Sequence, residues 1–209
     1  MAHGVFIMRL FFLTLACAVF PFAAWAIEAP SGQTHIDANS VLRGRFVEER
    51  QMGDGIGSLH LSGRFVVAPA HGLIWVVEKP FPTATIITPN GAAQDVGGIA
   101  IKLRMKNLQH LYDVIGRALA GDWNGLETDF VITSNSNATD HWKVLMTPRS
   151  GDKPKLPYAS ITVSGSRFVE NIIMTKVTGN SDELNFTEEI FSAAQLTADE
   201  IATFNEIRR

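Results

Sequence analysis

The chain has 209 residues, 18 basic against 21 acidic side chains, a net charge of −3 and a 46% hydrophobic composition. No basic block is present that could follow a phosphate backbone or an anionic lipid surface, which argues against nucleic-acid binding. A single cysteine, Cys17, leaves no intrachain disulfide to build.

Met1 to Ala26 reads as an export leader. A short positive stretch ends at Arg9, an apolar run follows from Leu10 to Phe22, and Ala24-Trp25-Ala26 supplies a small-x-small cleavage site. The apolar run is shorter than the ~20 residues of a spanning helix. The expectation is therefore a cleavable signal peptide over 1–26 and one domain over 27–209. Cleavage removes Cys17 and Arg9, bringing the net charge to −4. Lipidation of Cys17 is the competing reading, and Thr14 stands where a lipobox carries Leu.

Ile27 to Ser40 is polar, with room for a short helix around Ile36 to Leu42. Strand-like alternation begins in the stretch from Leu42 to Arg50 and runs into the glycine-rich turn at 53–57. Leu59 to Pro80 reads as two apolar strands joined by a Pro/Gly turn, with Leu59, Leu61, Phe65, Val67, Leu73, Trp75 and Val77 on one face. Thr83 to Thr88 continues the meander up to Pro89-Asn90-Gly91, and Gly98 to Leu103 fits either strand or loop. Leu108, Leu111, Tyr112, Ile115 and Leu119 recur at helical spacing, and Gly121 stops that helix. Strands resume at Glu127 to Thr133, His141 to Thr147, Tyr158 to Ser164, Arg167 to Val177 and Glu183 to Thr187. Thr197 to Glu200 is a capping box opening a last short helix with Ile201 and Phe204. About nine antiparallel strands with one inserted amphipathic helix must curl over their apolar face, because one helix cannot cover so wide a flat sheet. The predicted fold is mainly β: one curved antiparallel sheet, an incomplete half-open barrel plugged or lidded by the helix.

Reactive groups are sparse. His35, His60, His71, His110 and His141 lie at no metal-ligand spacing and read as surface residues, and no H-E-x-x-H or G-x-S-x-G motif occurs. The Gly53/Gly55/Gly57 turn is followed by a strand, so no helix N-terminus waits for a pyrophosphate. Glu48-Glu49 and Glu188-Glu189 are adjacent acids, which a strand points to opposite faces. Asn137-Ala138-Thr139 matches a glycosylation sequon. No catalytic residue, metal ligand or cofactor is expected; an esterase would need a nucleophile beside His110 or His141. Aromatic residues at period two ordinarily make a plain core. The functional reading leaves part of that volume to a ligand, with Met105, Met146 and Met174 adaptable to an irregular lipid.

Phe46-Val47-Glu48, Ser62-Gly63-Arg64-Phe65 and Gly72-Leu73-Ile74-Trp75 up to Lys79-Pro80 resemble the early strands of the outer-membrane lipoprotein carrier family, LolA-like. Phe130-Val131-Ile132, Trp142 to Pro148 and the stretch Ile161 to Phe186 resemble its later strands, so the likeness spans Leu42 to Phe186. The resemblance implies an unclosed barrel with a helical lid over a hydrophobic cavity. It also implies a monomeric periplasmic carrier that shields acylated lipoproteins, received from an inner-membrane transporter and released to an outer-membrane receptor. Related readings are an outer-membrane-anchored acceptor, or a carrier of another lipid or a lipid-linked pigment. The expected cavity is lined by Leu61, Phe65, Trp75, Ile87, Phe130, Trp142 and Val144, and the expected lid by Leu111, Tyr112 and Ile115. Two positions depart from the family's pattern. Ala68 stands where relatives place an Arg that latches the lid, and Glu48 where they place Gln.

Overall fold

The computed structural model describes residues 32–53, 56–135, 141–151, 155–192 and 195–205. The leader, Cys17 and the sequon at Asn137 fall outside the described residues. Strands β1 (Val41–Gln51), β2 (Ser58–Ala68), β3 (Gly72–Lys79), β4 (Thr83–Thr88), β5 (Gly91–Val96) and β6 (Ile99–Lys102) come first. Helices α1 (Lys106–Ala120) and α2 (Trp123–Leu126) interrupt them. Strands β7 (Phe130–Asn135), β8 (Trp142–Pro148), β9 (Tyr158–Gly165), β10 (Val169–Lys176) and β11 (Ser181–Ser192) follow, then helix α3 (Ala198–Asn205).

These strands form one sheet in the order β6-β5-β4-β3-β2-β1-β11-β10-β9-β8-β7, antiparallel throughout. The edges β6 and β7 do not pair with each other, so the barrel is incomplete, as expected. Eleven described strands replace the nine read from the sequence. The difference lies in β5 and β6: Gly91 to Val96 holds alanines where strands usually carry β-branched residues, and only tertiary pairing makes it a strand. The short helix expected around Ile36 to Leu42 is absent. Asp37 instead accepts bonds from the Asn39 amide (2.8 Å) and the Ser40 hydroxyl (2.9 Å), a turn that delivers Val41 straight into β1.

Strands β2 to β4 are apolar on both faces, and each face has its own cover. Phe65, Val67, Leu73, Trp75 and Ile87 face inward, beneath Val114, Ile115, Ala118 and Leu119 of α1. Their sequence neighbours Val66, Ile74 and Ile86 face outward, where Phe204 of α3 and Leu196 cover them. The capping box holds α3, the Thr197 amide donating to Glu200 (2.7 Å) and the Glu200 amide to the Thr197 hydroxyl (3.2 Å). Glu200 also takes two bonds from Arg43 of β1, at 2.8 and 2.7 Å, which fastens α3 to the barrel wall.

A small internal repeat organises the inner face. Gly44-Arg45-Phe46 on β1 and Gly63-Arg64-Phe65 on β2 run antiparallel, pairing Gly44 with Phe65 and Phe46 with Gly63. Each ring lies close to the glycine opposite. A Cβ on Gly44 would come within 2.7 Å of the Phe65 ring, and one on Gly63 within 3.0 Å of the Phe46 ring. The two arginines between them lie opposite one another and both reach Glu78, at 2.7 Å from Arg45 and 3.6 Å from Arg64.

Candidate functional site: a helix seated on an aromatic concave face

Trp75 is the centre of the inner face. Its ring stacks on Phe46, centroids 3.9 Å apart, and meets Phe65 and Phe186 at 6.2 Å. Tyr112 of α1 closes over it at 5.9 Å. On the other half of the barrel Trp123 of α2 meets Trp142 edge-on at 5.9 Å. The indole N–H groups are satisfied by the Ser166 carbonyl for Trp142 (2.5 Å) and by Gln33 for Trp123 (2.8 Å).

Phe65, Trp75, Ile87, Phe130, Trp142 and Val144 all join one buried inner core, and Leu61 packs against it half-buried. Among the lid residues Ile115 is buried, while Leu111 and Tyr112 are half-buried on the same helix face. With the helix seated, these side chains touch one another. Open space begins at the edge of the helix, in a cleft of about 510 Å³ between α1, the segment 35–38 and the ends of β2 to β4. Ile36, Val67, Leu73, Ile87 and Tyr112 form its apolar floor. Of the predicted cavity residues only Ile87 reaches it. Asp113, Arg117 and Asp122 make its polar rim, with Arg117 bonded to both carboxylates, at 3.0 and 3.3 Å.

The two ends of α1 are fastened differently. At its C-terminus Gly121 adopts a left-handed conformation (φ 71°), with the Gly121 and Asp122 amides returning to the Ala118 and Arg117 carbonyls. The N-terminal segment straps this end. The Ile36 amide donates to the Ala120 carbonyl (2.9 Å), and the Gln33 side-chain amide donates to the Ala118 carbonyl (3.1 Å). Thr34 then ties the strap to the Arg167 carbonyl at 2.8 Å. Other contacts hold the N-terminus of α1. Met105 gives it no side-chain cap and its first turn carries no acid, while the Gln109 side-chain amide bonds to the Leu103 carbonyl, the Leu103 amide to the Ala92 carbonyl (2.9 Å), and His110 lies 3.8 Å from the Asp129 carboxylate.

Beside the aromatic floor lies a polar cluster that the sequence reading missed. Phe46, Glu48 and Arg50 occupy successive inward positions on β1, and Glu48 is buried while Glu49 is exposed, as alternation requires. Asp182, at 1% exposure, faces them from β11. Lys176 (2.6 Å), the Tyr158 hydroxyl (2.9 Å) and the Gln51 amide (3.2 Å) all donate to Asp182. Arg50 donates to Glu48 at 2.6 and 3.0 Å. Burial pushes the Glu48 carboxyl above its ordinary range, against the pull of Arg50. Tyr112 lies over Trp75 from α1, and burial together with the Glu48 charge raises its hydroxyl. The helix is held by the 33–36 strap, with the Tyr112 ring set over Trp75.

His110 corrects one expectation. It is not a surface residue, its side chain being 13% exposed and 3.8 Å from the Asp129 carboxylate. The expected opposition of Glu188 and Glu189 is disturbed too, because β11 bulges there and Glu188 adopts φ 55°. Among the described residues no group of three His, Cys, Asp or Glu could hold a metal, and no helix is long and apolar enough to cross a membrane.

No family model matches the chain, and no curated protein matches it by sequence. Among solved structures it is similar to a LolA superfamily protein from Nitrosomonas europaea, at 10% identity and a TM-score of 0.45, over 79% of this chain and 91% of that one. It is also similar to a domain named for outer membrane lipoprotein sorting from Vibrio parahaemolyticus. There the identity is 8% and the TM-score 0.45, over 83% of this chain and 92% of that one.

Proposed function

We propose that the protein is a periplasmic carrier that shields the acyl chains of lipoproteins between the inner and the outer membrane, and that it is not an enzyme. The observation that carries this reading is the amphipathic helix α1, seated on the aromatic face of an unclosed sheet and strapped at its C-terminus by residues 33–36. Each CH₂ of an acyl chain exposed to water costs ~0.8 kcal/mol, so one long chain needs cover worth on the order of 10 kcal/mol. The cleft of about 510 Å³ has the size of a site for one small ligand or one chain. A lipoprotein with several chains needs α1 to swing outward about its strapped C-terminal end, uncovering Phe65, Trp75 and Ile87. The predicted cavity residues then line the cargo site, and Leu111, Tyr112 and Ile115 form the underside of the lid. Export by the 1–26 leader puts the carrier in the compartment where the cargo travels. A transporter at the inner membrane and a receptor at the outer membrane complete the relay.

Tryptophan fluorescence tests this. Trp75 lies under Tyr112, so uptake of a long-chain acyl ligand by delipidated protein shifts its emission, and a Trp75→Phe variant loses most of the shift. An unchanged spectrum at saturating ligand, together with no lipid co-purifying from the periplasm, refutes the reading.

A further inference from the structure

The inner face of the sheet changes chemistry along its strands. At the cleft end its inward residues are apolar, with Leu42 of β1, Val67 of β2, Leu73 of β3 and Ile87 of β4 all buried. Further along the same strands polar side chains take over. On β1 Glu48 and Arg50 follow Phe46, on β4 the buried Thr85 lies two positions from Ile87, and on β11 Asp182 lies two from Leu184. Ladder pairing sets Arg50 opposite Asp182, and Glu48 opposite Leu61 and Leu184. Lys176 and Tyr158 reach Asp182 from the same end of β10 and β9. This charged end asks for no outside partner. Lys176 donates also to the Gln51 carbonyl (2.7 Å) and the Ser181 amide to the Gln51 side chain (3.2 Å), which ties the end of β1 to the ends of β10 and β11. Among the described residues the buried side-chain polar atom without a hydrogen bond belongs to Glu189, outside this cluster. A network satisfied from within is a wall to an apolar chain, not a seat for a polar head.

We infer that this charged end limits the acyl chain that the protein accepts to about 16 carbons. The inference rests on the carrier reading above and adds a length limit to the cargo. The polar head of the chain stays at the cleft rim, beside Asp113, Arg117 and Asp122, and its methyl end runs along the inner face toward Glu48. Glu48 follows Leu42 by six positions, roughly 20 Å of strand at ~3.4 Å each. An extended chain advances ~1.3 Å for each C–C bond of about 1.5 Å, so roughly 15 bonds, or about 16 carbons, fill that length. A longer chain must press its last methylenes on the Arg50 guanidinium and the Lys176 ammonium. Those side chains are 41% and 22% exposed, so they keep water that such a chain would strip away. That desolvation opposes the gain from covering each further CH₂.

The experiment titrates delipidated protein with monoacylglycerols whose saturated chains run from about 10 to about 20 carbons, read by tryptophan emission. The head is neutral and the same throughout, so the charges of the rim cancel from the comparison. Wild-type Kd is expected to fall roughly four-fold for each added CH₂ up to about 16 carbons, and to fall no further beyond. The double variant Glu48→Leu, Arg50→Met puts apolar side chains in place of the ion pair, a replacement that leaves the stability of many proteins near wild type. It is expected to favour the ~20-carbon chain over the ~12-carbon one at least about ten-fold more than wild type does, since two recovered CH₂ contributions already supply that factor. Circular dichroism and a cooperative melt show that it is folded, and the wild-type series decides the matter even where it is not. A wild-type Kd that keeps falling evenly through the longest chain overturns the length limit and leaves the carrier reading intact. A folded double variant with the wild-type break gives the Glu48–Arg50 pair a purely structural role and overturns the limit as well. Binding of no chain at any length removes the carrier reading and the limit with it.

Discussion

A crosslink between α1 and β3 tests directly whether the helix must leave the sheet for cargo to enter. A Cβ built on Gly116 lies 3.5 Å from the Leu73 Cβ, at the short edge of the range that disulfides span. The double variant Leu73→Cys, Gly116→Cys therefore forms a bond under oxidising conditions, and without Cys17 the chain has no competing thiol. The bridge closes a loop of 43 residues, for which the chain-entropy relation gives about 4 kcal/mol of stabilisation of the oxidised over the reduced form. Comparing two redox states of one variant cancels the cost of trimming Leu73. Urea unfolding with and without reductant measures the difference, and acyl-ligand fluorescence measures uptake in the same samples. The oxidised form is expected to be more stable yet unable to take up a long acyl chain, and reductant restores uptake. Equal binding in both redox states refutes the lifting helix, and failure of the bridge to form refutes its seating on Leu73.

Tyr112→Ala removes the ring set over Trp75 and should cost roughly 3 kcal/mol in urea unfolding, while stopped-flow fluorescence shows faster acyl uptake because the helix is held less firmly. Asp182→Ala strands Lys176, Tyr158 and the Gln51 amide, an expected loss of about 3–5 kcal/mol; adding Lys176→Met should recover part of it, and a single-variant loss under ~1 kcal/mol would show the cluster to be unimportant for folding. Two carboxylates give opposite pH signatures. The bonds from Arg43 hold Glu200 below its usual value, so its stabilisation is complete above the free-chain value of about 4.3 and fades as pH falls through the folded one. Burial raises Glu48, so its charge costs stability at neutral pH, and that cost is relieved as pH falls through its raised value towards the free one. Melting curves from pH 7 to pH 3 should show Glu200→Gln less stable and Glu48→Gln more stable than wild type at neutral pH, both differences shrinking on acidification.

Period-two patterning was enough to place the strands with large side chains, and period 3.6 to place α1, because in both the burial pattern lies within one segment. It failed where burial comes from elsewhere. Ala92 and Ala93 carry too little hydrophobic signal to declare a strand, yet they pair with Ile87 and Ile86 on β4 and are buried. Val66, Ile74 and Ile86 made β2 to β4 look uniformly apolar; such runs mark strands covered on both faces, and the second cover, α3, was read only as a short terminal helix. The charged cluster was illegible for a stronger reason. Glu48 and Asp182 are 134 positions apart, and only the β1–β11 register, with Arg50 opposite Asp182, brings them to one spot. A charged residue at an inward position of an otherwise apolar strand was the available signal, visible at Glu48 and Arg50 once Phe46 is placed inside.

That cluster also bears on how the proposed carrier would work. A barrel interior that is apolar throughout gains most by closing on itself, which would bind α1 too firmly for cargo to displace it. Here the helix sets aliphatic side chains and the Tyr112 ring on the inner face, and the charged cluster beside it is built on the strands. Glu48, Arg50, Asp182 and Lys176 find partners among the strands and not on α1. Lifting the helix therefore exposes few unsatisfied polar groups on the sheet. In the proposed carrier the apolar surface uncovered at the same moment is what an acyl chain occupies, so cargo and helix compete for one face. Substitutions that strengthen the Tyr112 contact should then slow uptake and release together in stopped-flow fluorescence, whereas substitutions of Trp75 should weaken retention alone.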